Sequence, residues 1–161
     1  MKEKRIILDN IRSAHNVGSI FRSADGAGAD KIYLVGPTPT PVDRFGREQP
    51  EIVKTSLGAS QSIPWEHIGE SSSVSTNEAL TLITSLKQEG FTVVAVEQAS
   101  QSISFYDFEV PDKVVYIMGA EVDGVQKELI EAADVVVEIP MKGIKESLNV
   151  SVTAGIILFK K

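Results

Sequence analysis

Five short aliphatic and β-branched runs constrain the fold of this chain more than any other feature. They are K-R-I-I-L ending near Asp9, K-I-Y-L-V at 31–35, F-T-V-V-A-V at 91–96, K-V-V-Y-I-M at 113–118 and V-V-V-E-I at 135–139. Each holds a continuous apolar run instead of an apolar–polar alternation, the pattern of strands buried on both faces of a sheet. Helical spacing fills the gaps between them. Val17, Ile20, Phe21 and Ala24 predict a helix over 16–28. Ala79, Leu80, Ile83 and Leu86 predict another, with Ser75-Thr76-Asn77-Glu78 as its capping box and Gly90 as its stop. Val125, Leu129, Ile130 and Ala133 predict a third, shorter helix. Strands separated by helices define an α/β fold, a mostly parallel sheet with helices on both faces.

Two segments read less directly. P-T-P-T-P-V-D-R-F-G-R, from Pro37 to Arg47, is expected to be a long loop, continued by T-S-L-G-A-S and P-W-E. The ending S-L-N-V-S-V-T-A-G-I-I-L-F has the β-branched content of a strand. Its length and the spacing of Leu148, Val152, Gly155, Ile156 and Phe159 favour a buried helix, with Ser147 as N-cap. In open parallel sheets ligands bind beyond the carboxyl ends of the strands. Chemistry is therefore expected in the loops at 9–16, 36–50, 97–105, 119–124 and 140–147.

The 161 residues are the size of one domain, expected over 1–161 with no separate second unit. The absence of cysteine excludes disulfides and thiolate metal sites, and His15 and His67 are too few and too distant for a zinc site, so no metal is expected. No apolar run is long enough to cross a bilayer, and the charged start M-K-E-K-R is not a secretory signal, so a cytoplasmic protein without membrane attachment is expected. A net charge of −6 argues against polyanion binding taken alone. The charge is unevenly spread: residues 1–47 hold eight Lys or Arg against five acids, whereas 97–138 hold two against ten. A basic face in the N-terminal third, helped by Lys142 and Lys145, is compatible with that distribution.

The glycine motifs exclude two familiar sites. Gly26-Ala27-Gly28 precedes a strand, so it is not a dinucleotide fingerprint. Gly119-Ala120-Glu121-Val122-Asp123-Gly124 follows a strand, but Val125-Gln126 stands where a P-loop requires Lys and Ser or Thr. Its acids suit a ligand with hydroxyls, amides or positive charge, such as a sulfonium. The alternative is a tight turn with Asp123 capping a helix. On a helical wheel Arg22 lies roughly 150° from the apolar stripe, so it faces either solvent or a partner. Asn16 and the Gly18 backbone would lie near the positive end of that helix, which favours an anion, unless Asn16 is simply its cap.

D-N-I-R-S-A-H-N-V-G-S-I-F-R-S-A-D-G-A-G resembles the first motif of the SpoU/TrmH-type RNA 2′-O-ribose methyltransferases of the SPOUT superfamily, with the form N-x-G-x-x-x-R-[ST]-A at Asn16, Gly18, Arg22, Ser23 and Ala24. Gly119, Glu121 and Gly124 resemble the second motif. I-P-M-x-G-x-x-x-S-L-N-V-S-V-x-A-G, from Ile139 to Gly155, resembles the third. Three motifs in order cover nearly all the chain. Ala120 departs from the Asn or Ser common between the second-motif Gly and Glu.

The resemblance implies a SPOUT fold with a C-terminal trefoil knot, a homodimer, and S-adenosylmethionine as cofactor. It implies cofactor contacts from Val96, Glu97, Gly119, Ala120, Glu121, Gly124, Ile139, Met141, Ser147 and Leu148. Catalytic roles would fall to Arg22, Asn16, Ser147, Asn149 and Glu121. RNA contacts are expected from Arg12, His15, Arg22, Arg44, Phe45 and Arg47. The family gives Arg22 the proton-accepting role, yet guanidinium is a poor base. Imidazole, here His15, is the side-chain type that exchanges protons near neutrality. The competing reading is a non-catalytic RNA-binding or assembly protein on the same fold. Transfer RNA is preferred to ribosomal RNA as the expected substrate, and the residues do not name the nucleotide.

Overall fold

The computed structural model describes residues 2–69 and 72–161. Seven strands form one sheet in the order β3-β2-β1-β6-β4-β7-β5, and every neighbouring pair is parallel. The strands are β1 (Glu3–Asp9), β2 (Lys31–Val35), β3 (Trp65–Ile68), β4 (Thr92–Val96), β5 (Ile103–Ser104), β6 (Lys113–Gly119) and β7 (Val135–Glu138). The helices are α1 (Ala14–Gly26), α2 (Pro50–Ser56), α3 (Ala59–Ser62), α4 (Ser72–Gln88), α5 (Lys127–Ala132) and α6 (Val150–Leu158). Among the described residues no helix is long and apolar enough to cross a membrane.

Successive strand residues point to opposite faces, so each apolar run feeds two cores. Ile6 and Leu8 of β1 and Tyr116 and Met118 of β6 pack with α1, α2, α3 and α6. Ile7, Val93, Val115 and Ile117 pack on the other face with Ala79, Ile83 and Leu86 of α4 and Leu129 of α5. This three-layer arrangement is the one the continuous apolar runs require.

Several local expectations are corrected. T-S-L-G-A-S (55–60) and P-W-E (64–66), expected to continue the loop, instead belong to a stretch that holds α2, α3 and β3. Gln49 accepts a hydrogen bond from the Glu51 amide and Pro50 occupies the first helical turn, which starts α2. Leu57 at φ 50° ends it. The short strand β5 was not anticipated. Residues 75–78 do not cap α4, which already begins at Ser72. Ser75 is fully buried, and a Cβ on Gly69 would lie 2.7 Å from its Cα. Asn149, not Ser147, caps α6: its Oδ1 accepts from the Ser151 amide at 2.8 Å. The buried stripe of α6 is Val150, Ala154, Ile157 and Leu158, leaving Val152 and Phe159 about half exposed. Helix α1 begins at Ala14, two residues earlier than expected, and ends at Gly26, with Ser13 as its cap.

Gly18 is buried between α1 and α2, so its backbone does not face an anion. A Cβ there would collide with Thr55 Oγ1 and lie 2.9 Å from the Ile52 carbonyl. Both helices would have to separate to admit a methyl group. Gly18→Ala is expected to lower unfolding stability by about 1–3 kcal/mol, measured by urea denaturation; an unchanged midpoint would show that the α1–α2 contact does not require glycine.

Candidate active site

The register levels the strand ends. Asp9 pairs with Val35 on one side and Gly119 on the other, and Val96 pairs with Met118 and Val137. The loops after β1, β6, β4 and β7 therefore leave the sheet at one height. The chain runs outward in opposite directions on either side of the β1–β6 boundary, the topological position where such sheets bind ligands.

A cavity of about 400 Å³ opens beside that boundary, beyond the carboxyl ends of β4, β6 and β7. Val96 and Glu97 line it from the end of β4 and its following loop. Gly119, Ala120, Glu121 and Gly124 line it from the end of β6 and its loop, and Ile139, Met141, Ser147 and Leu148 from the loop after β7. The structure thus brings all ten expected cofactor contacts to one wall system. Met118, Val137 and Val150 form its apolar floor, and Gln98, Asp123 and Glu138 add polar groups.

The turn after β6 is tightly closed. The Gly124 amide donates to the Ala120 carbonyl at 2.8 Å, and Gly124 adopts φ +66°. A Cβ on Gly119 would collide with Gly124 and Val125, and one on Gly124 would collide with the Glu97 carboxylate. Glu97 holds the turn directly, accepting from the Val125 amide at 3.0 Å and from the Gln98 amide at 2.9 Å. Gln98 reaches the Glu146 carbonyl at 2.5 Å, tying the loops after β4 and β7 together.

At the rim, Glu121 Oε1 accepts from Asn16 Nδ2 at 2.7 Å and from Asn149 Nδ2 at 3.0 Å. Asn149 Nδ2 also lies 3.3 Å from Asn16 Oδ1. Each sequence motif contributes one member of this contact. Asn16 is therefore not the helix cap, because Ser13 Oγ accepts from its backbone amide and leaves the side chain free for Glu121. Asp123 is no cap either: Gln126 begins α5.

Sequence reasoning missed Asp9. It is fully buried at the end of β1. Its two oxygens accept from the Gln126 amide at 2.8 Å and from Gln126 Nε2 at 2.7 Å, while Thr76 donates to Gln126 Oε1 at 2.6 Å. The far side of the β6 turn is fixed by this chain. A charged residue closing an apolar strand was the available signal. Burial pushes the Asp9 carboxyl above its ordinary range, and the Gln126 hydrogen bonds oppose that push without cancelling it.

The remaining expected residues are not gathered at the cavity. Arg22 is exposed on α1 and, among the described residues, has no hydrogen bond or ion pair. It lies six residues from Asn16, about 9 Å along the helix. α1 packs beside α6, with Ser23 Oγ 3.7 Å from where a Cβ on Gly155 would be. His15 is exposed, and its carbonyl accepts from Thr55 Oγ1 at 3.2 Å. Arg12 lines an adjoining cleft of about 330 Å³ with Lys127 and shares the 120–125 wall. Arg44, Phe45 and Arg47 sit on the loop after β2.

Leveled strand ends, an all-parallel sheet and a polar-rimmed cavity beyond β4, β6 and β7 define an α/β protein with a cavity of ligand size beside an open surface. The chain belongs to the SpoU rRNA Methylase family, whose model matches residues 3–159. The 23S rRNA (guanosine-2'-O-)-methyltransferase RlmB of Neisseria meningitidis serogroup B is 33% identical over 153 residues, covering 95% of this chain and 55% of that protein. The tRNA (guanosine(18)-2'-O)-methyltransferase of Aquifex aeolicus is 29% identical over 160 residues, covering 99% of this chain and 68% of that protein. The structure of an AdoMet-bound rRNA methyltransferase from Sinorhizobium meliloti superposes with a TM-score of 0.79 at 32% identity, covering 98% of this chain and 54% of that one. The chain spans about half the length of the curated relatives it matches first.

Because folding raises the Asp9 pKa, the native state holds that proton more tightly than the unfolded chain, whose carboxyl titrates near 3.8. Its contribution therefore falls as pH rises from about 4 through the higher native value, then stays level. Asp9→Asn is expected to remove this decline, read as urea unfolding free energy against pH for both proteins. Parallel pH profiles would contradict it.

Proposed function

We propose that this chain transfers the methyl group of S-adenosylmethionine to a ribose 2′-hydroxyl of RNA. The observation that carries the reading is the Asn16–Glu121–Asn149 contact, which draws the three motifs together at the rim of a cavity. The cavity is of the size that small-molecule sites use, and its donor set fits the cofactor. Ile139, Leu148 and Val150 offer apolar surface to an adenine, and the loop backbones offer amides and carbonyls. Glu97, Glu121, Asp123 and Glu138 surround the cavity with negative charge suited to a sulfonium and an ammonium. S-adenosylmethionine supplies an activated methyl group when bound.

The chain's own residues would orient the acceptor oxygen. Glu121, held by two amides, fixes the rim, and Ser147 on the same cavity wall is placed to hydrogen-bond the ribose. Arg22 carries permanent charge. Its role in this reading is to hold an RNA phosphate and to stabilise the negative charge developing on the ribose oxygen. The proton leaving the 2′-hydroxyl passes to the RNA phosphate that Arg22 holds and on to water, or, in the alternative, to His15. Since Arg22 faces outward from α1, a second copy of the chain would complete the site. Exposed Val152 and Phe159 of α6, beside α1, support that homodimer. The knotted path expected of the C-terminal segment belongs to the same reading, supported by the return of Asn149 across the β6 loop to α1. Arg12 and Lys127 in the adjoining cleft are the proposed contacts to RNA phosphates near the target.

The named relatives act on guanosine in 23S rRNA and in tRNA. A guanosine ribose is accordingly the proposed acceptor, and the preference for transfer RNA is an outcome of the test. Incubation with total RNA and labelled cofactor, followed by mapping of methylated riboses, is expected to give one 2′-O-methylated guanosine. Cofactor binding with no transfer to any RNA would instead favour the non-catalytic reading. Arg22→Ala is expected to reduce turnover at least about 100-fold, the scale of losing one electrostatic stabiliser, with cofactor affinity unchanged by calorimetry. A dead His15→Ala beside an active Arg22→Ala would overturn the assignment.

A further inference from the structure

The loop between β2 and α2 is a built element. Thr40 Oγ1 donates to the Val42 carbonyl at 2.8 Å, and the Gln49 amide donates to the Pro41 carbonyl at 2.9 Å. Val42 and Glu48 form an antiparallel bridge. Between them, the Gly46 amide donates to the Asp43 carbonyl at 3.0 Å with Gly46 at φ +78°, and the Asp43 amide donates to the Arg47 carbonyl at 2.9 Å. This is the hairpin form in which a turn is followed by a left-handed glycine. The Asp43 carboxylate fills the turn: Oδ1 accepts from the amides of Phe45 and Arg47 at 2.8 and 2.9 Å, and Oδ2 accepts from Arg47 Nε at 2.7 Å. Those hydrogen bonds, led by the Arg47 amide, hold Asp43 below the ordinary carboxylate range.

All this structure serves to present an apolar ring to water. Phe45 is 68% exposed at the tip. The Arg44 and Arg47 guanidiniums lie 4.8 and 5.0 Å from its centroid. An exposed planar ring with guanidiniums lying over it matches one chemistry closely: a nucleotide, whose flat base takes the place of a guanidinium on the ring and whose phosphate receives the displaced charge. The tip also stands at the right edge of the sheet. Loop 36–49 leaves the same carboxyl end as the site loops, and β2 is separated from β6 only by β1. Adjacent strands are about 4.8 Å apart, so the roots of the two loops are roughly 10 Å apart. The loop continues into α2, which packs against the α1 turn that carries Asn16, through the Gly18–Ile52 approach and the Thr55–His15 hydrogen bond.

We propose that the Arg44-Phe45-Gly46-Arg47 tip is a substrate-selecting element that stacks Phe45 on an unpaired nucleobase of the RNA, a base other than the one whose ribose is methylated. This rests on the RNA-methylation reading and adds to it the kind of RNA selected: one with an unstacked base near the acceptor ribose. The hairpin backbone is already formed, and only a guanidinium lying over Phe45 has to swing aside to admit a base, so the contribution appears in RNA affinity and not in the transfer step.

The test uses the full chain, a fluorescein-labelled RNA hairpin with an unpaired loop, and a fully paired RNA duplex of equal charge, at one ionic strength. Wild type is expected to prefer the hairpin. Phe45→Ala is expected to bind the hairpin about tenfold more weakly, to bind the duplex as wild type does, and to keep wild-type cofactor affinity by calorimetry. Phe45→Trp restores hairpin binding. Arg44→Ala weakens binding of both RNAs and reduces its salt dependence by about one phosphate contact. If Phe45→Ala binds the hairpin as wild type, or loses hairpin and duplex equally, the stacking role is overturned while methyl transfer by wild type leaves the enzymatic reading standing. If wild type takes up neither cofactor nor RNA, both readings fall.

Discussion

One carboxylate oxygen joins three distant parts of the chain. Glu121 Oε1 receives an amide hydrogen from residue 16 and another from residue 149, so the first turn of α1 and the loops after β6 and β7 meet at one exposed carboxylate and part only by exchanging these hydrogen bonds for water. Carboxylate hydrogen bonds of this kind are stronger than neutral ones. The contact is possible only because parallel registration brings the strand ends to one level. The all-parallel order and the continuous apolar runs that enforce it are thus upstream of the site.

The supporting parts each have a second duty. Asn149 starts α6 through its Oδ1 while its Nδ2 serves Glu121, so folding the last helix and closing the rim are one event. Gly119 and Gly124 let the turn fold flat against Glu97, and Glu97 hydrogen-bonds that turn in return. Asp9 and Gln126 clamp the other side. The cavity wall is a strand-end turn fixed at both flanks, which suits a site that must hold a ligand in a fixed orientation.

The long central strands were legible because buried parallel strands leave an unbroken apolar signature, and α1 because its stripe is complete within one helix. The 49–68 stretch was not. α2 and α3 are seven and four residues long, too short to establish a period, and β3 carries charged and polar residues at an edge of the sheet. Ser75-Thr76-Asn77-Glu78 has the form of a cap, but nothing in it reveals that α4 extends a turn further back. The α6 stripe was misplaced because the helix is apolar nearly all round, so the spacing of Leu148, Val152 and Ile156 fits as well as that of the residues actually buried. At the site, the motif resemblance named the residues that line the cavity; no local pattern marks Asn16 as a partner of Glu121, because a contact between residues 105 positions apart has no local signature. Asp9 does carry a local mark, a charge closing an apolar strand, but its partner Gln126 is 117 positions away and has none.

The central claim is that the three-residue contact closes one cofactor cavity. A double-mutant cycle with Asn16→Ala and Glu121→Gln, titrating S-adenosylmethionine by calorimetry, tests it most directly. Each single change is expected to weaken binding about tenfold, and the pair by clearly less than the product of the two losses, because both remove the Asn16–Glu121 hydrogen bond while Glu121→Gln also removes a charge from the cavity wall. Fully additive losses, or cofactor binding indifferent to both substitutions, would contradict the account.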